Sequence, residues 1–405
     1  MKCVSPSVRN LFERILKARY LGSILIFVSF VVLALLRIRN SFDRMAPDPG
    51  FWFLEQVREN NYLHVFSNQD GFLHVAPRLC FEFVSLFPIQ YQAIAGTVGM
   101  QLIFGCVAAS VFLIIRTETQ KFWLSLFGAV MVVAVPAAGE STVGNLGSVK
   151  WPLTILLVFV LASKKTMLDY TKLSVACAIL VGLSQPYSIL LTLPAFIRRY
   201  GSKSKKSLSQ TEWCVAITGF VQLAVWFTSG VTLQKYGEPT YLPWSGMGVF
   251  WYSIWITPTL SGICVFLFLY LLHRRGISGF EFELRLASAT VLLAVVAYLQ
   301  LGIKDSSSVA PQAVSWVVLL LTVFRVGGLF GRQIQRLSTA ILLVFVLTAT
   351  VKWFGASWFL TSGPTWSSEI ERTRALCLQD DLDDVVVKQF MSDTTLDCEQ
   401  ILEGA

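Results

Sequence analysis

Residues 173–206 read LSVACAILVGLSQPYSILLTLPAFIRRYGSKSKK, and the fold turns on how this stretch is placed. Its apolar run, 173–197, holds 25 residues and ends in Arg198, Arg199, Lys203, Lys205 and Lys206, the densest basic cluster in the chain. Just before the run, the connection 164–172 carries Lys164, Lys165 and Lys172. Short loops rich in Lys and Arg stay on the cytoplasmic side of a membrane. With such a loop on each flank, the run must cross an even number of times, yet one crossing takes about 20 apolar residues. Ser184-Gln185-Pro186 interrupts it at the middle. Proline removes a backbone donor and pushes the residue before it out of helical geometry. The reading that fits is a re-entrant hairpin of two half-helices, its broken backbone buried in protein or lining a wet cavity.

The rest of the chain follows the same rule. Of 405 residues, 54% are apolar and only 14% charged, with mean hydropathy +0.61. A soluble domain carries roughly 25% charged residues. Apolar runs predict spans near 20–38, 93–115, 122–137, 150–163, 213–229, 249–272, 284–303, 314–330 and 337–356. The basic residues before Tyr20 put the amino terminus inside and make 20–38 an uncleaved signal anchor. Loop 39–92 then lies outside, and Arg116 with Lys121, the 164–172 and 198–212 loops, His273-Arg274-Arg275, and Arg325 with Arg332 and Arg336 fall inside. The expected fold is all-α: a polytopic transmembrane bundle, residues 1–356, of about nine full spans plus the hairpin. Residues 357–405 form an acidic extracytoplasmic tail. The expected location is the plasma membrane, multi-pass, with a cytoplasmic amino terminus and an extracytoplasmic carboxyl terminus.

Charge is unevenly spread. From Glu369 onward, ten acids face three bases, although the whole chain is +8. The positive excess therefore sits in short loops between apolar runs, which marks membrane orientation and excludes nucleic acid as a partner. Eight cysteines include no CxxC pair. Cys377 and Cys398 share the polar tail and can pair if that tail faces an oxidising compartment; sequence alone does not establish the bond.

The first outer loop carries the chemistry. Its length, about 54 residues, exceeds any ordinary span connection, and long structured loops are often functional. Asp48-Pro49 suits the cap and first position of an amphipathic helix over 49–60. After a turn at Ser67–Gly71, Pro77 opens a second helix to about Leu86, with Arg78 and Glu82 one turn apart. Gln69-Asp70-Gly71-Phe72-Leu73-His74-Val75-Ala76-Pro77-Arg78 looks like a GYxHxxPR-type segment. Together with Asp43 and Asp48 just after the first span, Gly144-Asn145, Lys150-Trp151-Pro152 and Gly182-Leu183-Ser184-Gln185-Pro186, this arrangement resembles a bacterial branch of the GT-C superfamily of polytopic glycosyltransferases. The resemblance covers roughly residues 20–200.

That resemblance implies an inverting transfer of sugar from a polyprenyl-phosphate donor to an extracytoplasmic glycan, lipid or protein acceptor, with membrane lipids as surroundings. A carboxylate can take the proton of an acceptor hydroxyl, and the candidates are Asp48 with Asp43 as alternate. The leaving lipid phosphate wants cations: Arg78 with His74, and Lys150. Asp70, Asn145 and Gln185 complete the substrate-binding set. No cofactor is firmly implied. A divalent metal is compatible with such chemistry, but the loop has no Asp-x-Asp motif and no metal ligands are assigned.

Each residue has a plainer reading. Asp48 can be a helix cap, Asp43 a partner of Arg39, Asp70 a turn residue, His74 structural, and Arg78 a partner of Glu82. Asn145 can be a loop residue, and Gln185 can serve the backbone that Pro186 frees. The competing functions are a transporter or flippase for a lipid-linked intermediate, favoured by broken helices at mid-membrane, and a non-catalytic assembly partner in envelope glycan synthesis.

Overall fold

The computed structural model describes residues 21–33, 35–36, 42–44, 62–69, 71–134, 146–193, 208–229, 263–276, 279–299, 363–380, 382–388 and 393–403, with scattered positions between 314 and 344. Twelve helices are used below: α1 (Leu21–Leu33), α2 (Val75–Ser85), α3 (Gln92–Thr119), α4 (Phe122–Ala134), α5 (Lys150–Ala162), α6 (Lys164–Asp169), α7 (Thr171–Gly182), α8 (Gln210–Thr228), α9 (Ile263–Arg274), α10 (Glu281–Leu299), α11 (Trp366–Asp380) and α12 (Cys398–Glu403).

The described residues are mainly helical, as expected, apart from two small hairpins. Two small antiparallel hairpins are present: β1 (Asn68–Gln69) with β2 (Phe72–Leu73), and β3 (Asp384–Val387) with β4 (Thr394–Asp397). Gly71, at φ 85°, makes the tight turn between β1 and β2, a left-handed conformation that glycine adopts at no steric cost.

The nine-span bundle is not what the structure shows. Among the described residues one helical stretch, Ile89–Thr119, is long and apolar enough to cross a bilayer. Two helices whose ends are both described are short: α5 has 13 residues and α7 has 12. At 1.5 Å per residue these reach about 18–20 Å, short of a hydrocarbon core of about 30 Å. The expected spans at 314–330 and 337–356, the loop 230–248 and the 198–206 cluster lie wholly or mostly outside the described residues. Within the 173–197 run, residues 194–197 lie outside the described residues, and the described part is not two α-helical halves. Helix α7 stops at Gly182 as the Ser184-Gln185-Pro186 break requires, but its continuation, Pro186–Thr192, is a seven-residue 3-10 turn.

The helices pack closely where glycine lets them. A Cβ added to Gly182 in α7 would sit 1.8 Å from Thr218 Oγ1 of α8, and one added to Gly219 would sit 2.5 Å from Ile189 Cβ. Gly105 of α3 gives the same close approach to Phe27 and Val31 of α1. Small residues at crossings permit this approach, and packing then contributes the association energy.

Polar bonds sort the helix ends into two groups. At one end Ser163 Oγ, after α5, donates to Glu118 of α3 at 2.7 Å, and Arg285 of α10 donates to the Ala162 carbonyl at 3.0 Å. Ser209, which caps α8 with a reciprocal Glu212 capping box, reaches Met167 Sδ of α6 at 3.6 Å. Lys121, Lys165 and Lys172 belong to this end. The other end gathers β1–β2, α2, the end of α7, the start of α3 and α11.

The acidic tail is a small folded unit. Helix α11 packs on β3, and α12 follows β4 back to α11. Cys377 and Cys398 are joined by a disulfide with Cα atoms 5.5 Å apart, so the pairing left open by sequence is made.

Candidate functional site

The site is built on the segment from Tyr62 to Ser85. Tyr62–Phe66 forms a 3-10 turn, β1 and β2 follow, and α2 begins at Val75. Helix α2 is strongly two-faced: Val75, Ala76, Arg78, Phe81 and Val84 are buried, while Leu79, Phe83 and Leu86 are exposed. Pro77 sits in its first turn, where a missing N–H costs nothing.

Arg78 is only 1% exposed. A guanidinium keeps its charge and has donors only. One terminal nitrogen, Nη1, donates to His64 Nε2, which is itself buried at the preceding turn. Arg78 has donors only, so Nε2 is the acceptor of this pair, and on the other side of the ring Nδ1 lies 3.3 Å from Ser67 Oγ. Ser67, His64 and Arg78 thus form a short chain that aims the guanidinium. Arg78 turns to His64 where sequence offered Glu82.

Four bonds, to α8 and to the break after α7, hold this segment. Leu73 N–H donates to Gln222 Oε1 at 2.9 Å, and Gln222 Nε2 donates back to the Leu73 carbonyl at 3.0 Å. Gln222 therefore acts as a third strand alongside β2. Val75 N–H donates to the Leu183 carbonyl at 3.3 Å, and Ala76 N–H to Ser184 Oγ at 2.7 Å. The break after α7 leaves the Leu183 carbonyl free to accept, and Ser184 Oγ accepts from Ala76 while donating to the Leu180 carbonyl at 2.6 Å. His74, buried between the bonded positions, takes φ −129° and ψ 51° before α2 starts.

The expected residues divide into groups. His74, Arg78 and Gln185 come together: Gln185 is buried directly after Ser184, which bonds the first turn of α2. Lys150 opens α5 at the same end, half-buried, with Nζ 5.5 Å from the Trp151 ring centre. The Leu146–Val149 turn before it packs on α2. Asp43 lies elsewhere, bonded to Ser367 at the start of α11. Asp48, Asp70 and Asn145 lie outside the described residues, as does the helix expected over 49–60. Among the described residues, no group of three His, Cys, Asp or Glu side chains could hold a metal ion.

Sequence reasoning missed His64 and Gln222. His64 had one signal: it is one of three histidines and stands 14 residues before Arg78. Gln222 had another, as an amide inside an apolar run, where an unsatisfied polar group is costly. Compared with family models and with curated proteins, the chain matches neither.

Proposed function

We propose that the protein is a membrane-embedded glycosyltransferase that moves a sugar from a polyprenyl-phosphate donor to an extracytoplasmic acceptor. The observation that carries the reading is the buried Arg78, oriented by His64 and fixed beside the α7 break. A buried, preorganised cation stabilises charge as it develops and needs no reorganisation during reaction. In the proposed reaction the acceptor oxygen attacks the anomeric carbon, and the carbon–oxygen bond to phosphate breaks with inversion. The bonding pair leaves with the lipid phosphate, which Arg78 neutralises with help from His74 and Lys150. Asp48 takes the acceptor proton. Asp43 is the weaker base candidate, since its carboxylate is committed to Ser367. Asp70, Asn145 and Gln185 remain for the sugar and acceptor.

A lipid setting is supported by exposed apolar side chains on separate helices: Leu21 and Leu25 on α1, Phe220 and Phe227 on α8, and Leu267 and Leu271 on α9. Faces on several helices fit an enveloping lipid phase better than one protein partner. The disulfide supports an oxidising compartment for α11 and α12, and the Asp43–Ser367 bonds keep the start of the first loop on that same side.

The test is transfer of labelled sugar from a polyprenyl-phosphate donor by purified protein in detergent. Wild-type protein is expected to transfer, and Asp48→Asn to lose transfer at least 100-fold with unchanged membrane levels. Equal product from both proteins would remove Asp48 from the mechanism, and no transfer at all would remove the reading.

A further inference from the structure

We infer that Gln222, together with Ser184, is a positioning residue that sets Arg78 for phosphate. The inference rests on the glycosyltransferase reading of the site and deepens it. Gln222 is fully buried near the middle of α8, and both ends of its amide are used by the Leu73 backbone, 149 residues away. Leu223, Ala224 and Val225 follow it in sequence, and Thr218, one turn earlier, bonds its own helix backbone. A buried amide is costly unless both its donor and acceptor are satisfied. Satisfying both with one residue's N–H and C=O fixes where β2 lies and which way it faces.

The consequence reaches Arg78 through the backbone alone. The N–H groups of Leu73, Val75 and Ala76 are bonded to Gln222, Leu183 and Ser184 respectively. Arg78 N–H then bonds the His74 carbonyl at 3.1 Å, which starts the helical ladder from a fixed point. Removing Gln222 frees the first of these anchors and removing Ser184 the third. In either case Arg78 keeps its charge and loses its aim at His64. Neither residue touches the guanidinium, so their effect is on position.

The experiment measures two quantities on the full-length protein in detergent: hydrogen exchange over residues 68–80, and affinity for undecaprenyl phosphate without sugar. Gln222→Leu and Ser184→Ala are each expected to speed exchange in that segment and to weaken binding at least tenfold. Arg78→Ala is expected to abolish binding. Gln222→Glu supplies a control that mere destabilisation cannot imitate. A protonated carboxyl can accept from Leu73 N–H and donate to its carbonyl, as the amide does, whereas a carboxylate cannot donate. Relative to wild type at each pH, Gln222→Glu should bind well in acid and poorly in alkali, while Gln222→Leu stays weak throughout.

Binding lost in Arg78→Ala but unaltered in Gln222→Leu and Ser184→Ala, with unchanged exchange, would overturn the positioning role and leave the parent reading standing. Binding of Gln222→Glu that tracks Gln222→Leu at every pH would also overturn it. Failure of wild-type protein to bind undecaprenyl phosphate would overturn the parent reading, and with it the role given to Gln222.

Discussion

The Asp43 carboxylate accepts hydrogen bonds from Ser367, a residue 324 positions later in the chain. The Ser367 N–H lies 3.2 and 3.4 Å from the two carboxylate oxygens, and Ser367 Oγ donates to Oδ2. Trp366 N–H donates to the Asp43 carbonyl at 2.8 Å, and its indole N–H to the Ile89 carbonyl at 2.7 Å. Asp43 thus caps α11 from outside the helix, placing a negative charge where free N–H groups and the helix dipole favour one. The start of the first long loop and the disulfide-closed unit are thereby one assembly.

Asp43→Ala should therefore act on docking rather than on chemistry. Loss of a helix cap costs about 1 kcal/mol, up to about 2 in proteins. Faster hydrogen exchange across 366–380 is expected, with more than half of the transfer activity retained. Abolished transfer with unchanged exchange would make Asp43 the base after all.

The Cys377–Cys398 bond closes a loop with a sequence separation of 21. Chain entropy for a loop of that size gives about 3 kcal/mol of stabilisation. Cys377→Ser should leave α11 and α12 open to proteolysis while α3 and α5 resist. In wild-type protein both cysteines should take thiol label only after reduction.

Acid should open the same unit. Burial raises the Glu369 carboxyl, but Arg372 Nε and Nη2, at 3.1 and 2.9 Å, and the Lys388 N–H at 3.1 Å favour its charged form. The balance holds its pKa below the usual Glu value. A lowered folded-state pKa stabilises above the unfolded value of about 4.3, and that contribution is lost as pH falls through the folded value. Hydrogen exchange at 366–388 should therefore rise in acid below about pH 4, and Glu369→Gln should flatten the dependence.

Helix packing predicts an asymmetry among glycines. Gly219→Ala brings a Cβ to 3.0 Å from the Ile189 Cα, a backbone atom that cannot easily give way. Overpacking of this kind costs about 1–3 kcal/mol, so a lower thermal midpoint is expected. Gly99→Ala meets nothing within 4 Å and should be neutral or stabilising, since alanine is favoured over glycine in helices by up to about 1 kcal/mol.

Local signals in the sequence were legible where one residue's chemistry decides the outcome. Pro186 ended α7, Pro77 lay in the first turn of α2, and two cysteines in one polar segment found each other. The helix boundaries were not legible, because apolar runs do not mark where the backbone stops being helical: within 173–197, α7 ends at Gly182 and a 3-10 turn, Pro186–Thr192, follows. The partners of Arg78 and Asp43 were hidden for another reason. Glu82 and Arg39 were the neighbours that helical spacing offers, whereas His64 and Ser367 arrive by tertiary folding. Gln222 pairs with Leu73 across 149 residues, a distance no local pattern spans.

Sugar transfer by purified Arg78→Lys protein tests the central claim most directly. Lysine keeps the charge but presents a point ammonium in place of the planar fork that His64 aims. The account predicts a fall in kcat/KM of about 100-fold, or about 2.7 kcal/mol of transition-state stabilisation, with an unchanged thermal midpoint. Transfer by Arg78→Lys at the wild-type rate would contradict it.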